Sequence, residues 1–491
     1  MIKSNGGIIG PDNVTTGGAF GSASGVFKLG EVTNLIKDSK WPTAGPQGFQ
    51  VANSCRFNDG SSDYLNRSLS STSTSWTFSA WVKRGSNLGA TNYIISWGNS
   101  GTDATGIGFN ASNTFQYYSE SSPDNKHRQT SAVYRDTSAW YHLVVKSNSN
   151  AITLYVNGEE PTQSWTTGSS ANPLDTSTMQ IGKWVTSAYY HDGYMAEVCF
   201  IDGTALDATS FGEFNSQTGI WVPKVVTGLT FGTNGFYLPF TNASALGEDF
   251  SGEDNDFTVN NLTSIDQSTD TCSTNFATMN PLSNYYNSDA AFSDGNNTVE
   301  CGGTGSAAIT STIGASSGKW YAEFKNVTGS GGGSVFGIES LSYQTGTTHY
   351  VGYNDYSWGY FQQDGKIKNN NSDIATYSSQ TNGDICGIAL DLDNNKLYFS
   401  KNGTWQNSAD PSAGTGGISI TAPASTDTGV YLFSGSDDNQ YASRTFSSDF
   451  GSPVYAISSG NTDGNGFGNF EYAVPTGFLS LNTKNLAAVL A

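Results

Sequence analysis

Two stretches of the chain constrain its fold more than any others. Trp140-Tyr-His-Leu-Val-Val-Lys146 is followed by Ile152-Thr-Leu-Tyr-Val-Asn-Gly158, and Gly383-Asp-Ile-Cys-Gly-Ile-Ala-Leu-Asp-Leu-Asp393 is followed by Lys396-Leu-Tyr-Phe-Ser-Lys-Asn-Gly403. Each is a pair of runs alternating apolar and polar residues, joined by a polar turn and closed by Asn-Gly, a pair suited to the positive φ of a tight hairpin. In a strand this alternation sends one set of side chains to a core and the other to water. The chain therefore reads as all-β, with two antiparallel β-sandwiches in tandem.

Length and composition agree. A chain of 491 residues is too long for one ordinary core and divides into about two or three domains. Charged residues make up 13%, about half of the roughly 25% usual in soluble domains, and Gly, Ser, Thr and Asn take the polar positions. Aromatic residues, also 13%, supply the buried area that scarce aliphatics do not. With 42 acidic against 22 basic residues the net charge is −20, which leaves phosphates unneutralised and argues against nucleic-acid binding. Cys55, Cys199, Cys272, Cys301 and Cys386 are odd in number and form no CxxC pair. They predict neither a disulfide framework nor a metal site. No run approaches the 18 apolar residues of a membrane span, and the opening Met-Ile-Lys-Ser-Asn-Gly-Gly lacks the apolar centre of a signal peptide.

Residues 1–48 differ from the rest. Gly6, Gly7, Gly10, Gly17, Gly18, Gly21 and Gly25 leave this stretch without side chains for a core. A short helix is predicted from about Phe27 to Lys40, stopped by Pro42, too short to be stable alone. Its apolar residues Phe27, Leu29, Val32, Leu35 and Ile36, with Trp41, are the predicted anchor contacts with another molecule. A first sandwich is expected over 49–245, a connecting segment over 246–272 and a second sandwich over 273–491. No heptad run offers a coiled-coil shaft.

These residues also carry family resemblances. Ser79-Ala-Trp-Val-Lys-Arg84, Trp140-Tyr-His142, Tyr155-Val-Asn-Gly158 and Gly193-Tyr-Met-Ala-Glu-Val198 resemble a laminin-G-like, concanavalin A-like sandwich. Gly318-Lys-Trp-Tyr-Ala-Glu-Phe324, Phe336-Gly-Ile338, Leu390-Asp-Leu-Asp393 and Phe399-Ser-Lys-Asn-Gly403 resemble a SPRY domain. Phe200-Ile-Asp-Gly-Thr-Ala-Leu206, Gly219-Ile-Trp-Val-Pro-Lys224, Asn255-Asp-Phe-Thr-Val-Asn-Asn-Leu262 and Pro475-Thr-Gly-Phe-Leu-Ser-Leu-Asn-Thr-Lys-Asn-Leu486 are similar to virion proteins of marine bacteriophages. This last resemblance implies assembly in the host cytoplasm and location in the virion.

Concanavalin-type sandwiches include glycoside hydrolases, whose retaining members place Glu-x-Asp-x-Glu on one strand so that two carboxyls flank the scissile bond. The chain has no such triplet. Glu197 and Asp202 are five apart and predicted on opposite strand faces, while Asp391 and Asp393 border a hairpin turn. The histidines are isolated: His142 in a strand, His127 in a charged turn, His191 and His349 beside tyrosines. No nucleophile elbow, phosphate loop or HxxxH appears. Neither catalysis nor a cofactor is expected. Asp59, Asp63 and the acids from Asp249 to Asp256 have atoms suited to calcium, but Asp is common in turns without it, and no metal is assigned.

Sugars are held by a flat aromatic with polar neighbours. The best such loops are Trp184 to Asp192, with Tyr189, Tyr190 and His191, and Tyr350 to Tyr360, with Tyr353, Tyr356 and Trp358. In the second, the alternation of Tyr356, Trp358 and Tyr360 equally suits the buried face of a strand. The expected function is a non-enzymatic phage appendage, a tail or head fibre. Its N-terminal segment would bind other virion proteins, and its sandwiches a host-surface glycan or protein receptor. The alternatives are a capsid decoration protein without its own receptor and a glycan depolymerase. Analogy with phage fibres favours a homotrimer.

Overall fold

The computed structural model describes residues 8–10, 25–27 and 49–490, apart from 101–102, 122–124, 217, 284–289, 303–307, 329–332, 341–348 and 438–443. The predicted N-terminal helix and Leu29, Val32, Leu35, Ile36 and Trp41 lie outside the described residues. Phe27 ends a short strand, Gly25–Phe27, paired antiparallel with Ile8–Gly10. Strands dominate, and among the described residues one α-helix is present, Thr483–Leu490.

The first sandwich stacks two antiparallel sheets. One runs in the order Ala151–Val156, Trp140–Asn148, Trp76–Arg84, Gly193–Asp202, Ser54–Phe57, Gln267–Ser268, with Phe236–Leu238 also paired to Gly193–Asp202. The other runs Gln163–Thr167, Lys126–Val133, Thr114–Ser121, Asp103–Phe109, Asn92–Ser100, Thr178–Ile181, Tyr64–Ser68, Thr258–Asn260. The hairpin between Trp140–Asn148 and Ala151–Val156 turns on Ser149 and Asn150, both at positive φ, as a two-residue turn matched to strand twist requires. Between the sheets, Trp76 stacks on Phe200 at 5.8 Å and meets Trp97 edge-on at 5.3 Å.

The outer face of the first of these sheets is covered too. His142, fully buried, lies between Trp81 (4.8 Å) and Trp221 (5.8 Å). Its Nδ1 accepts from Trp221 Nε1, so its proton sits on Nε2, 2.9 Å from Ser79 Oγ. Burial pushes its pKa down to about 3, and the ring is a neutral packing element.

The second sandwich pairs a sheet ordered Ala291–Ser293, Thr298–Cys301, Arg444–Asp449, Lys319–Thr328, Ile385–Asp391, Lys396–Lys401, Thr404–Trp405 with one ordered Ala308–Thr310, Leu432–Asp437, Ser334–Glu339, Ser357–Phe361, Lys366–Asn369, Ser372–Thr376. The first of these also takes a parallel strand, Leu479–Ser480, against Lys319–Thr328. Phe470 and Phe478 cover that sheet's outer face over Tyr321 and Tyr398.

Residues 246–272, expected as a connector, complete the first sandwich instead. Leu246, Phe257 and Leu262 enter its core, Thr258–Asn260 extends one sheet and Gln267–Ser268 the other. The two sandwiches then join through buried polar groups. Lys83 donates to Asp270 (2.7 Å), Asn275 (2.8 Å) and the Phe276 carbonyl (3.0 Å). Asn297 donates to Tyr194 Oη at 3.1 Å, Arg56 to the Pro453 carbonyl at 3.2 Å, and Ser268 meets Ser452 at 2.6 Å. Buried polar groups satisfied in this way fix one relative placement of their elements.

Candidate functional site

The site begins with one strand. Asp103–Phe109 alternates Thr105, Ile107 and Phe109, turned inward, with Ala104, Gly106 and Gly108, turned outward. Three small residues on the outward face leave a trough along the middle of the sheet. Pairing sets larger side chains beside it: Gly106 opposes Tyr118 and Gly108 opposes Gln116 on one flank, while Gly108 opposes Tyr93 on the other. The next strand adds His127 opposite Tyr118 and Gln129 opposite Gln116. Period-two geometry thus brings Tyr93, Gln116, Tyr118, Glu120, His127 and Gln129 to one outer face.

The loop from Gly182 to Asp192 folds over this face as a hairpin. Trp184 N–H donates to the Tyr189 carbonyl (3.1 Å) and His191 N–H to that of Gly182 (2.8 Å). Trp184 drops into the trough, 4.3 Å from Tyr93 and 6.0 Å from Tyr118 between ring centres. A Cβ on Gly106 would sit 2.7 Å from the Trp184 ring and 2.6 Å from Tyr93, so glycine is what admits the tryptophan.

A cleft of about 500 Å³ remains, walled by Tyr93, Tyr118 and Tyr189, with Asn110, Gln116 and Gln129 along it. Tyr189 is 50% exposed and meets Tyr93 edge-on at 6.4 Å, so its ring is accessible for stacking. The Gln129 carbonyl accepts from Asn110 (2.7 Å) and Thr114 (3.2 Å), which fixes the amide and leaves its NH2 as a donor. Burial raises the Tyr118 phenol and lowers His127, so both groups are neutral at pH 7. Glu120 is the one carboxylate lining the cleft among the described residues. Neutral donors and acceptors beside aromatic faces are suited to hydroxyl groups on a ring with apolar faces, the chemistry of a saccharide.

The residues singled out from sequence divide sharply. Tyr189 lines the cleft, whereas Trp184 is buried and packs against the wall residues Tyr93 and Tyr118. Tyr190 turns aside, pairing with Tyr64 at 6.3 Å beneath the Lys183 ammonium. His191 and Asp192, expected on a rim loop, are buried. Burial, with Arg84 nearby, lowers His191 to about 3. Burial raises Asp192 to about 7 while it accepts from Ser86 N–H at 2.8 Å. In the second sandwich Trp358 and Tyr360 belong to the core, Tyr356 packs on it and Tyr353 packs beside Tyr350. The four are not brought together on a surface, because strand Ser357–Phe361 is covered on both faces. His127 is not in a solvated turn but in strand Lys126–Val133, edge-on to Tyr118 at 5.7 Å. Gln116, Gln129 and Tyr93 were missed. Their signal is the alternation Gln116-x-Tyr118-x-Glu120 and His127-x-Gln129 flanking Gly106-x-Gly108.

Among the described residues no three His, Cys, Asp or Glu side chains are grouped to hold a metal. Asp249 accepts from Tyr237 N–H and Ser251 N–H, each at 2.8 Å, as a turn carboxylate.

Comparison with known proteins agrees with this architecture. Residues 59–209 match the model of the concanavalin A-like lectin/glucanase superfamily, and residues 319–414 match that of the SPRY domain. Similar solved structures include the SPRY domain of human HERC1, at 17% identity over 35% of this chain and 96% of that one, with a TM-score of 0.29. Another is the heptameric SAP-like pentraxin of Limulus polyphemus, at 18% identity over 32% of this chain and 74% of that one, with a TM-score of 0.24. No curated protein matches by sequence. The chain thus carries a laminin-G/concanavalin A-like domain followed by a SPRY domain, consistent with a binding or structural role.

Proposed function

We propose that the chain is a non-enzymatic bacteriophage virion appendage that attaches to a host-surface glycan through the outer face of its first sandwich. The observation that carries the binding role is the cleft of Tyr93, Tyr118 and Tyr189 with the braced Gln129 amide. A saccharide ring stacks on Tyr189 while its hydroxyls meet Gln129, Asn110 and Gln116. Glycoside hydrolysis ordinarily needs two carboxyl groups about the scissile bond, and among the described residues this cleft offers Glu120 alone, which supports binding without cleavage. The virion assignment rests on the phage-like segments, Phe200–Leu206, Gly219–Lys224, Asn255–Leu262 and Pro475–Leu486. Residues 1–48 hold the chain to other virion proteins, and a homotrimer would multiply weak single-site affinity by avidity.

The junction of the sandwiches favours a second reading. Its buried Lys83–Asp270 pair suits a rigid decoration body on a capsid. Immunogold labelling of purified particles separates the two: label at fibre tips supports attachment, label spread over the capsid supports decoration, and particles without label refute both.

A further inference from the structure

The second sandwich holds a pocket of about 370 Å³ at one strand end, where Lys319–Thr328 finishes, Ser334–Glu339 begins and the loop before Ile385–Asp391 crosses. Its wall is unusual in chemistry. Asn326, Gln362 and Gln380 line it and are 6%, 2% and 5% exposed. Asn326 Nδ2, Gln362 Oε1 and both polar atoms of Gln380 have no hydrogen-bond partner of ordinary geometry in the chain. The Cys386 thiol beside Gln362 and Gln380 is a weak partner, and the Tyr360 hydroxyl, already donating to the Ser378 carbonyl, lies near the Gln380 amide without an ordinary hydrogen bond to it. Buried amides left so are costly, since each forfeits water without replacement, and each such group in a folded protein calls for an explanation.

Four unmet polar atoms around one cavity, on three separate elements, have a common explanation in a ligand. We propose that this pocket is a second binding site, for a saccharide unit presenting adjacent hydroxyl groups. Each hydroxyl both donates and accepts, so a vicinal pair satisfies an amide's NH2 and carbonyl together, whichever way the amide is turned. Among the described residues no aromatic ring lines the pocket, which leaves a nucleobase without a stacking partner. Among the described residues no carboxylate lines it, which leaves a cationic ligand without a counter-charge. The wall is also built for close approach: a Cβ on Gly333 would lie 2.8 Å from the Gln363 nitrogen. The site lies in the other sandwich from the Tyr189 cleft and stands or falls separately from it.

Saturation-transfer NMR on the full chain carrying Tyr189→Ala and Gln129→Ala, which removes the other cleft, with glucose, galactose, N-acetylglucosamine and glucuronate as separate probes, tests the proposal. At least one probe should receive saturation. Gln380→Leu added to that background should weaken its binding by about tenfold or more. Asn382→Trp, at the exposed mouth, should block the same signal without altering the buried wall. The thermal midpoint of Gln380→Leu should equal or exceed the parent's, because an unmet amide is replaced by an apolar group of similar shape. No saturation of any probe, a signal that survives both pocket variants, or a lowered midpoint for Gln380→Leu would each overturn the proposal.

Discussion

Glu197→Gln gives the sharpest test of how the first sandwich is held together. Glu197 lies in a bulge of strand Gly193–Asp202, at φ 51°, where the register against Trp76–Arg84 slips between Ala196 and Cys199. The bulge turns its side chain into the protein, 6% exposed, with Tyr237 Oη donating to it at 2.6 Å. Burial raises its pKa from 4.5 to about 7 against that hydrogen bond. A folded-state pKa above the unfolded one gives stability that is complete below pH 4.5 and declines as pH rises through 7. At 1.36 kcal/mol per pKa unit the loss by pH 8 is about 3 kcal/mol. Gln cannot ionise and keeps the Tyr237 contact, so the variant loses this slope. About 2.5 kcal/mol of this falls between pH 5 and pH 8, and for a domain of this size about 2–4 °C per kcal/mol predicts that the variant gains roughly 5–10 °C on the parent over that interval. Tryptophan-monitored thermal unfolding at the two pH values reads it. Parallel pH dependences for parent and variant would refute the reasoning, since Glu197 would then be ionised at no cost.

Other outcomes follow from the same structure. Lys83→Met strands the Asp270 carboxylate in the junction and should cost about 3–5 kcal/mol, while Lys83→Met with Asp270→Asn should cost less than the two single changes summed, measured by denaturant unfolding. Gly106→Ala forces Trp184 from the trough, destabilising by about 1–3 kcal/mol and red-shifting tryptophan emission; an unchanged spectrum contradicts the packing. His142→Phe should abolish one acid-sensitive group. His142 is depressed to about 3, so its share of stability is present above pH 6.5 and lost as pH falls toward 3, and the variant's acid unfolding midpoint should move lower.

The hairpins were legible in sequence because their signals are local. Asn402 and Gly403 both take the positive φ that Asn-Gly announces. Trp358 and Tyr360 show where local signals stop: alternation placed them on one face, but whether that face meets core or water depends on strands distant in sequence. The same limit hid the cleft, since Gln116 and Gln129 become neighbours only through pairing of Thr114–Ser121 with Lys126–Val133. Within 246–272, the stretch from Gly247 to Asp256 looks like surface because acids outnumber apolar side chains there. Leu246, Phe257 and Leu262 nevertheless suffice to dock the segment, and its backbone finds sheet edges that no local pattern announces. Nothing in the sequence around Lys83 or Asp270 reveals that the two pair.

The most direct test of the account is a sedimentation assay on insoluble bacterial cell-wall polysaccharide, run with the parent chain and with the combined Tyr189→Ala, Gln129→Ala variant, reading bound protein and released reducing sugar together. The account predicts that the parent pellets with the polysaccharide, that the variant stays in solution, and that neither releases sugar. Parent and variant pelleting alike would remove the cleft from binding, and reducing ends accumulating with the parent would make the chain an enzyme.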